Sequence, residues 1–342
     1  MSEKNMELEE KMDVETVKES AQSMEIDERI SKDEGEAVNP ADDKSRYVTP
    51  PEKEKKNILG QAIQYVILIV ASLIYMIPIA VIVINSFKSK RDISTTPFKL
   101  PKGDMFVGFE NFKRGIVEIG FLKCFGYSLE ITLTSVIIII LCCSMTGWYI
   151  TRVKTRITTI LYYTFVFSMI VPFQMVMFTL SYITRNFPKL MIGETKIFEL
   201  CSPHWLWIIY LGFGAGLSVF MFCGFVKAIP LEIEEAAMID GCSPVQMFFR
   251  VVFPILKPTA ITVAILNAMW IWNDYLLPNM LLETGYDTVP IAIQKSLRGS
   301  YGSNDMGALM AMLVLTVIPI IVFYLFGQKH IIKGVVAGVV KG

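Results

Sequence analysis

The sequence predicts an all-α polytopic membrane protein with six spanning helices. Three observations predict it. Of the 342 residues 53% are apolar and only 19% charged, against about 25% charged in an ordinary soluble domain. The apolar residues fall into six long runs. The formal net charge of zero also conceals a division, because residues 1–56 carry a net −7 and residues 57–342 a net +7.

A helix crossing a hydrocarbon core of about 30 Å needs about 20 apolar residues. Residues 57–87, 131–151, 157–184, 200–226 and 306–328 contain no acidic, Lys or Arg side chain, and residues 258–282 hold a single acid, Asp274. Backbone polar groups in lipid must be satisfied within the segment, so each run reads as a helix. The spans are placed at about 61–86, 127–151, 157–182, 205–227, 259–282 and 307–327. Pro78, Pro172 and Pro319 predict kinks in three of them, and the Gly212/Gly216 spacing in the fourth permits close approach of another helix.

The acidic tail, residues 1–56, has no Phe or Trp and only one aromatic residue, Tyr47. Too little apolar surface is present to offset the entropy of ordering, so the tail is expected to be disordered. It lacks the apolar core of a signal peptide. Cys142, Cys143 and Cys223 lie in apolar runs, where a thiol acts as a small hydrophobe. Cys124 and Cys201 fall in loops assigned to one side, an arrangement compatible with a bridge. The two histidines, His204 and His330, have no metal-ligand spacing, so no metal site is expected.

Arg152, Lys154 and Arg156 after the second span favour a cytoplasmic position for that loop, and Lys53, Lys55 and Lys56 favour the same side for the amino-terminus. Segment 88–125 would then be external, yet it holds eight Lys or Arg, including Lys88, Lys90 and Arg91. Charge alone leaves the direction open.

Residues 229–258, IPLEIEEAAMIDGCSPVQMFFRVVFPILKP, join the fourth and fifth spans. Leu231 to Asp240 is rich in helix formers, and Glu232, Glu234 and Glu235 suit the positive end of a helix dipole. Gly241 permits the positive dihedral that ends a helix, and Ser243-Pro244 is an N-cap followed by proline at the first helical position. A second helix with Val245, Phe248, Phe249 and Val252 is expected to stop at Pro254. Such a helix–turn–helix fits either a hairpin lying on lipid or a docking element.

The loop resembles the cytoplasmic signature loop of ABC importer permeases: Glu-Ala-Ala, three residues, Gly, then a downstream Pro, matched by Glu235, Ala236, Ala237, Gly241 and Pro254, with Asp240 beside the glycine. INSFKSKRDISTTPFKLP, GFENF at 108–112, WNDYLLP at 272–278 and the tail IIKGVVAGVVKG are similar to the maltose-type carbohydrate uptake family in particular. The likeness covers roughly residues 60–342. It implies a type I ABC importer permease fold for residues 57–342, a cytoplasmic coupling loop at 229–258, and both termini in the cytoplasm of a cell-membrane protein. It implies partners too: an ATP-binding subunit dimer that receives Glu235, a second related permease, an extracellular solute-binding lipoprotein and a sugar. The carboxy-terminal tail with Lys333, Gly334 and Gly338 would reach the ATPase dimer, or else remain a free end. No Gly-x-x-x-x-Gly-Lys-Ser/Thr run occurs in the chain, so it lacks that phosphate cradle. ATP and Mg would sit on the partner. No cofactor and no nucleic acid are expected on this chain.

Polar groups at membrane depth are costly and usually functional. The fifth span holds Asn267, Trp270, Trp272, Asn273 and Asp274, and at about 100° per residue Asn267, Trp270 and Asp274 share a stripe. Amides, a carboxylate and an indole face suit sugar hydroxyls and C–H groups, and they equally suit ties between helices. An ion-coupled carrier would need ionisable groups across several spans. A membrane enzyme would need a catalytic constellation. Neither is found here. Amino-acid or peptide permeases share the short signature but match the flanks and tail less well.

Overall fold

The computed structural model describes residues 58–192, 195–298 and 305–339. The acidic tail lies outside them. The chain divides into two compact units, and the division falls after Ser72 within the first helix, α1 (Ile58–Asn85). The first unit is described only over residues 58–72. The second unit is Leu73–Gly342.

After α1 come α2 (Lys90–Thr95), a 3₁₀ turn (Gly103–Met105), α3 (Glu110–Val117) and α4 (Phe121–Arg152). Next are α5 (Arg156–Ser168), α6 (Phe173–Arg185), a two-stranded antiparallel hairpin of β1 (Leu190–Ile192) and β2 (Thr195–Phe198), and α7 (Trp207–Val226). The loop helices α8 (Leu231–Ile239) and α9 (Pro244–Met247) lead through a π-helical turn (Phe248–Val252) into α10 (Phe253–Asn273). Then α11 (Leu276–Leu281), α12 (Val289–Leu297) and α13 (Met306–Val339) follow. The chain is helical as expected, apart from the small hairpin.

Five helical stretches are long and apolar enough to cross a membrane: 60–85, 121–152, 207–226, 244–273 and 306–326. The count reaches six when α5 and α6 are taken as one broken span, bent by 102°. The sequence predicts only a kink at Pro172. The chain leaves helical geometry there because a proline disfavours the α conformation of the residue before it, and Pro172 itself is extended (ψ 138°).

The core is formed by α4, α7 and α10. Ile139, Tyr210, Val219, Phe222, Val263 and Ile271 are buried among one another. Close approach depends on Gly214: a methyl group there would lie 2.7 Å from both Asn267 Oδ1 and Ile139 Cδ1. Gly216 meets the end of α5 in the same way, whereas Gly212 faces open space. The expected Gly212/Gly216 pair is therefore replaced by Gly214/Gly216. In α1, by contrast, Leu73, Ile74, Tyr75 and Ile77 are exposed.

The stretch after α1 is held by one buried side chain. Asn111 Nδ2 donates to the carbonyls of Ser86 and Lys88, both at 2.8 Å, and its Oδ1 accepts from Arg114, which pairs with Asp305 at 2.8 Å. Asn111 thereby ties the GFENF segment to NSFK. Lys88 is fully buried and its Nζ donates to the carbonyls of Thr96 (2.8 Å) and Pro97 (3.2 Å). Burial lowers its pKa, against the pull of Asp92. Lys88 thus serves packing, so it weighs little in the charge count that obscured direction. Cys124 and Cys201 are buried free thiols, not a bridge, and Cys124 lies in α4 rather than a loop.

Candidate functional site

The 229–258 segment forms the expected helix–turn–helix. The turn is a Schellman motif: the N–H of Cys242 donates to Ala237 O and that of Gly241 to Met238 O, both at 3.0 Å. Gly241 has φ +80° with open space where a side chain would project, so its requirement is backbone conformation and not room. Ser243 and Gln246 form a reciprocal capping box at the start of α9, with Pro244 in the first turn.

Pro254 does not end this helix. Residues 244–273 run as one helical stretch. Proline cannot donate to the carbonyl four residues earlier, and the chain absorbs the fault in the π-helical turn just before it, where the Phe253 N–H bonds Phe248 O. The second loop helix is thereby joined directly to the fifth span. Pro254 itself is exposed.

The three glutamates of α8 have different fates. Glu232 and Glu235 are exposed, whereas Glu234 is 3% exposed. The Glu234 carboxylate accepts from Trp148 Nε1 (2.9 Å), Arg152 Nε (2.9 Å) and Arg152 Nη2 (2.7 Å). The same Nη2 donates to Ile229 O at 3.0 Å. Ala237, one helical turn on, is buried in the core, while Ala236 and Asp240 are exposed. Of the two alanines of the Glu-Ala-Ala signature, only Ala236 faces outward. Leu231, Met238, Ile239 and Val245 of the same loop are also exposed, Ile239 at 87%. Sequence reasoning missed Glu234 and Trp148, and took Arg152 only as a charge favouring one side of the membrane. At about 100° per residue Glu232 and Glu235 share a side of the helix and Glu234 does not, and that was the available signal.

The stripe on the fifth span is divided. Asn267 is buried, and its Nδ2 donates to Ser218 Oγ (3.1 Å) and to Val263 O (2.9 Å), tying α10 to α7. The helix ends at Asn273 because Asp274 is extended and turns its carboxylate onto the next segment. Its Oδ1 accepts from the N–H groups of Leu276 (2.9 Å) and Leu277 (3.3 Å), and its Oδ2 from the hydroxyl of fully buried Tyr210 (3.0 Å). The expected span 259–282 is thus shorter at this end. Trp270 and Asn273 remain exposed, Trp270 with its ring nearly perpendicular to that of Tyr210. Lys333, Gly334 and Gly338 fall in the last turns of α13. Among the described residues, no group of His, Cys, Asp and Glu is placed to hold a metal.

The chain resembles known proteins in sequence and in fold. The chain is 36% identical over 274 residues to the probable starch degradation products transport system permease protein AmyC of Thermoanaerobacterium thermosulfurigenes, covering 80% of this chain and 94% of that one. It is 31% identical over 283 residues to the multiple sugar-binding transport system permease protein MsmG of Streptococcus mutans, covering 81% and 96%. In fold it matches a chain of the crystal structure of a bacterial ABC transporter involved in the import of the acidic polysaccharide alginate. That match has a TM-score of 0.64 and 20% identity, covering 82% of this chain and 99% of that one. The family of binding-protein-dependent transport system inner membrane components matches residues 139–336. The chain belongs to that family: it is a multi-pass membrane permease of the ABC importer type.

Proposed function

We propose that this permease moves a sugar or oligosaccharide, delivered by an extracellular solute-binding lipoprotein, through a pore shared with a second related permease. A separate ATP-binding subunit dimer, carrying ATP and Mg, hydrolyses the nucleotide. The sugar reading is supported by the relatives named for starch degradation products and multiple sugars. The observation that carries the coupling role is the two-sided build of the 229–258 loop. One face is clamped to α4, and the other presents Glu235, Ala236, Met238 and Ile239 outward. An exposed apolar patch beside a carboxylate, held on a rigid turn, suits a basic protein partner. The loop is then cytoplasmic, as are both termini, and Lys333, Gly334 and Gly338 extend toward the same ATPase dimer. Trp270 and Asn273 are the pathway residues of the fifth span, while Asn267 and Asp274 hold that span in place.

The test is association. Glu235→Lys reverses the outward charge, and Gly241→Asp forces a side chain into a left-handed conformation at a cost of about 1–3 kcal/mol. Both variants should insert in the membrane, fail to co-purify the ATP-binding subunit and show no sugar-stimulated ATP hydrolysis. Normal co-purification and normal stimulation in both would overturn the coupling role.

A further inference from the structure

Trp148 stands where three parts of the molecule meet. It lies on α4, its indole N–H donates to Glu234 on α8, and its ring packs against Phe248 of the π-helical turn at a centroid distance of 5.5 Å. Phe248 is 1% exposed and also packs against Phe249 and Phe253. One turn along α4, Arg152 grips both the carbonyl of Ile229, just before α8, and the Glu234 carboxylate inside it. The first arm of the loop is therefore fastened to the second span at two points. The second arm continues as the fifth span.

Stability alone does not explain this ion pair. A buried pair gains little over well-packed apolar side chains, because desolvation offsets the attraction. What it adds is direction. A carboxylate that accepts three charge-assisted bonds from donors fixed on another helix permits one rotation of α8. With about 100° between successive residues, that rotation sends Glu235 outward and Ala237 inward.

We infer that Glu234, Arg152 and Trp148 are positioning residues for transport coupling: they lock the loop to the second span so that displacement of the loop carries α4 and α10 together. The inference rests on the loop being the ATPase contact. Docking itself belongs to the outward face. The clamp converts docking into movement of the spans, so weakening it should leave the ATPase bound but working without effect.

The experiment uses the full complex of both permeases, the ATP-binding subunits and the binding protein. Glu234→Gln keeps the shape of the side chain and removes its charge. Trp148→Phe keeps a ring against Phe248 and removes the N–H. In both, ATP-binding subunits should co-purify as in the wild type and ATP hydrolysis should persist, while sugar transported per ATP falls about tenfold, toward the lower end of the range for coupling between sites. Arg152→Lys, which retains the charge but loses the fork, should fall between these variants and the wild type. An unchanged ratio of transport to hydrolysis would overturn the inference. So would loss of association in parallel with transport, because the clamp would then merely fold the docking face. Failure of the underlying reading shows separately, as normal ATPase association in Glu235→Lys.

Discussion

At one end of α10, Pro254 withholds a backbone donor and the helix continues; at the other, Asp274 offers an acceptor and the helix stops. The two residues act on the same backbone bond pattern with opposite results, and the surroundings decide. Near Pro254, one extra residue can be taken into a π-helical turn packed against Trp148, so the fault is spread over residues 248–252. Near Asp274, the carboxylate finds better partners outside the helix: two N–H groups of the next segment and the Tyr210 hydroxyl. A missing donor can be bridged, whereas a competing acceptor redirects the chain. The end joined to the loop is thus continuous and rigid, and the opposite end is broken and pinned.

The largest effect should come from the pinned end. Asp274→Ala leaves the Leu277 N–H and the Tyr210 hydroxyl without acceptors, and both residues are almost wholly buried. Each orphaned buried group costs about 1–3 kcal/mol. The purified complex should therefore melt at a clearly lower temperature, while Asp274→Asn, which keeps an acceptor oxygen, should lose less. Equal losses in the two variants would show that the acceptor does not end the helix.

At the continuous end the effect should be smaller and of another kind. Pro254→Ala restores a donor and permits a regular α-helix in place of the π-helical turn. Closing out that turn would rotate the loop relative to α10 by about 100°. The melting temperature should hold or rise, while coupled uptake falls. Lower stability with normal uptake would mean that Pro254 is not what maintains the turn.

The same contrast explains what the sequence could and could not reveal. Run length and charge depletion are local properties, so the spans were legible, as were Gly241 and the Ser243-Pro244 cap, whose requirements lie in the residues themselves. Pro254 misled because the remedy for a proline lies in tertiary packing. Glu234 and Glu235 are adjacent acids with the same propensity. Only the placement of Arg152, 82 residues away in the chain, separates them. The sequence left Asn267 open between a lining residue and a tie between helices, because a helical stripe shows which residues share a face and not which face is buried. Gly214 and Ser218 on α7 turned it inward.

That last point yields the smallest and most discriminating prediction. Hydrogen bonds between helices in membrane bundles average about 0.6 kcal/mol, so Asn267→Ala should lower the melting temperature only slightly. Its amide is taken by Ser218 and the Val263 carbonyl, so the range of sugars accepted should not change. Trp270 is 41% exposed, with its ring nearly perpendicular to that of Tyr210, so part of its indole is open to a passing solute. Trp270→Ala should therefore leave assembly intact and shift either the uptake rate or the preference among sugars. Competition uptake with a panel of mono- and oligosaccharides separates the two variants. A changed preference in Asn267→Ala with none in Trp270→Ala would reverse their roles and move the pathway to the α7 side of α10.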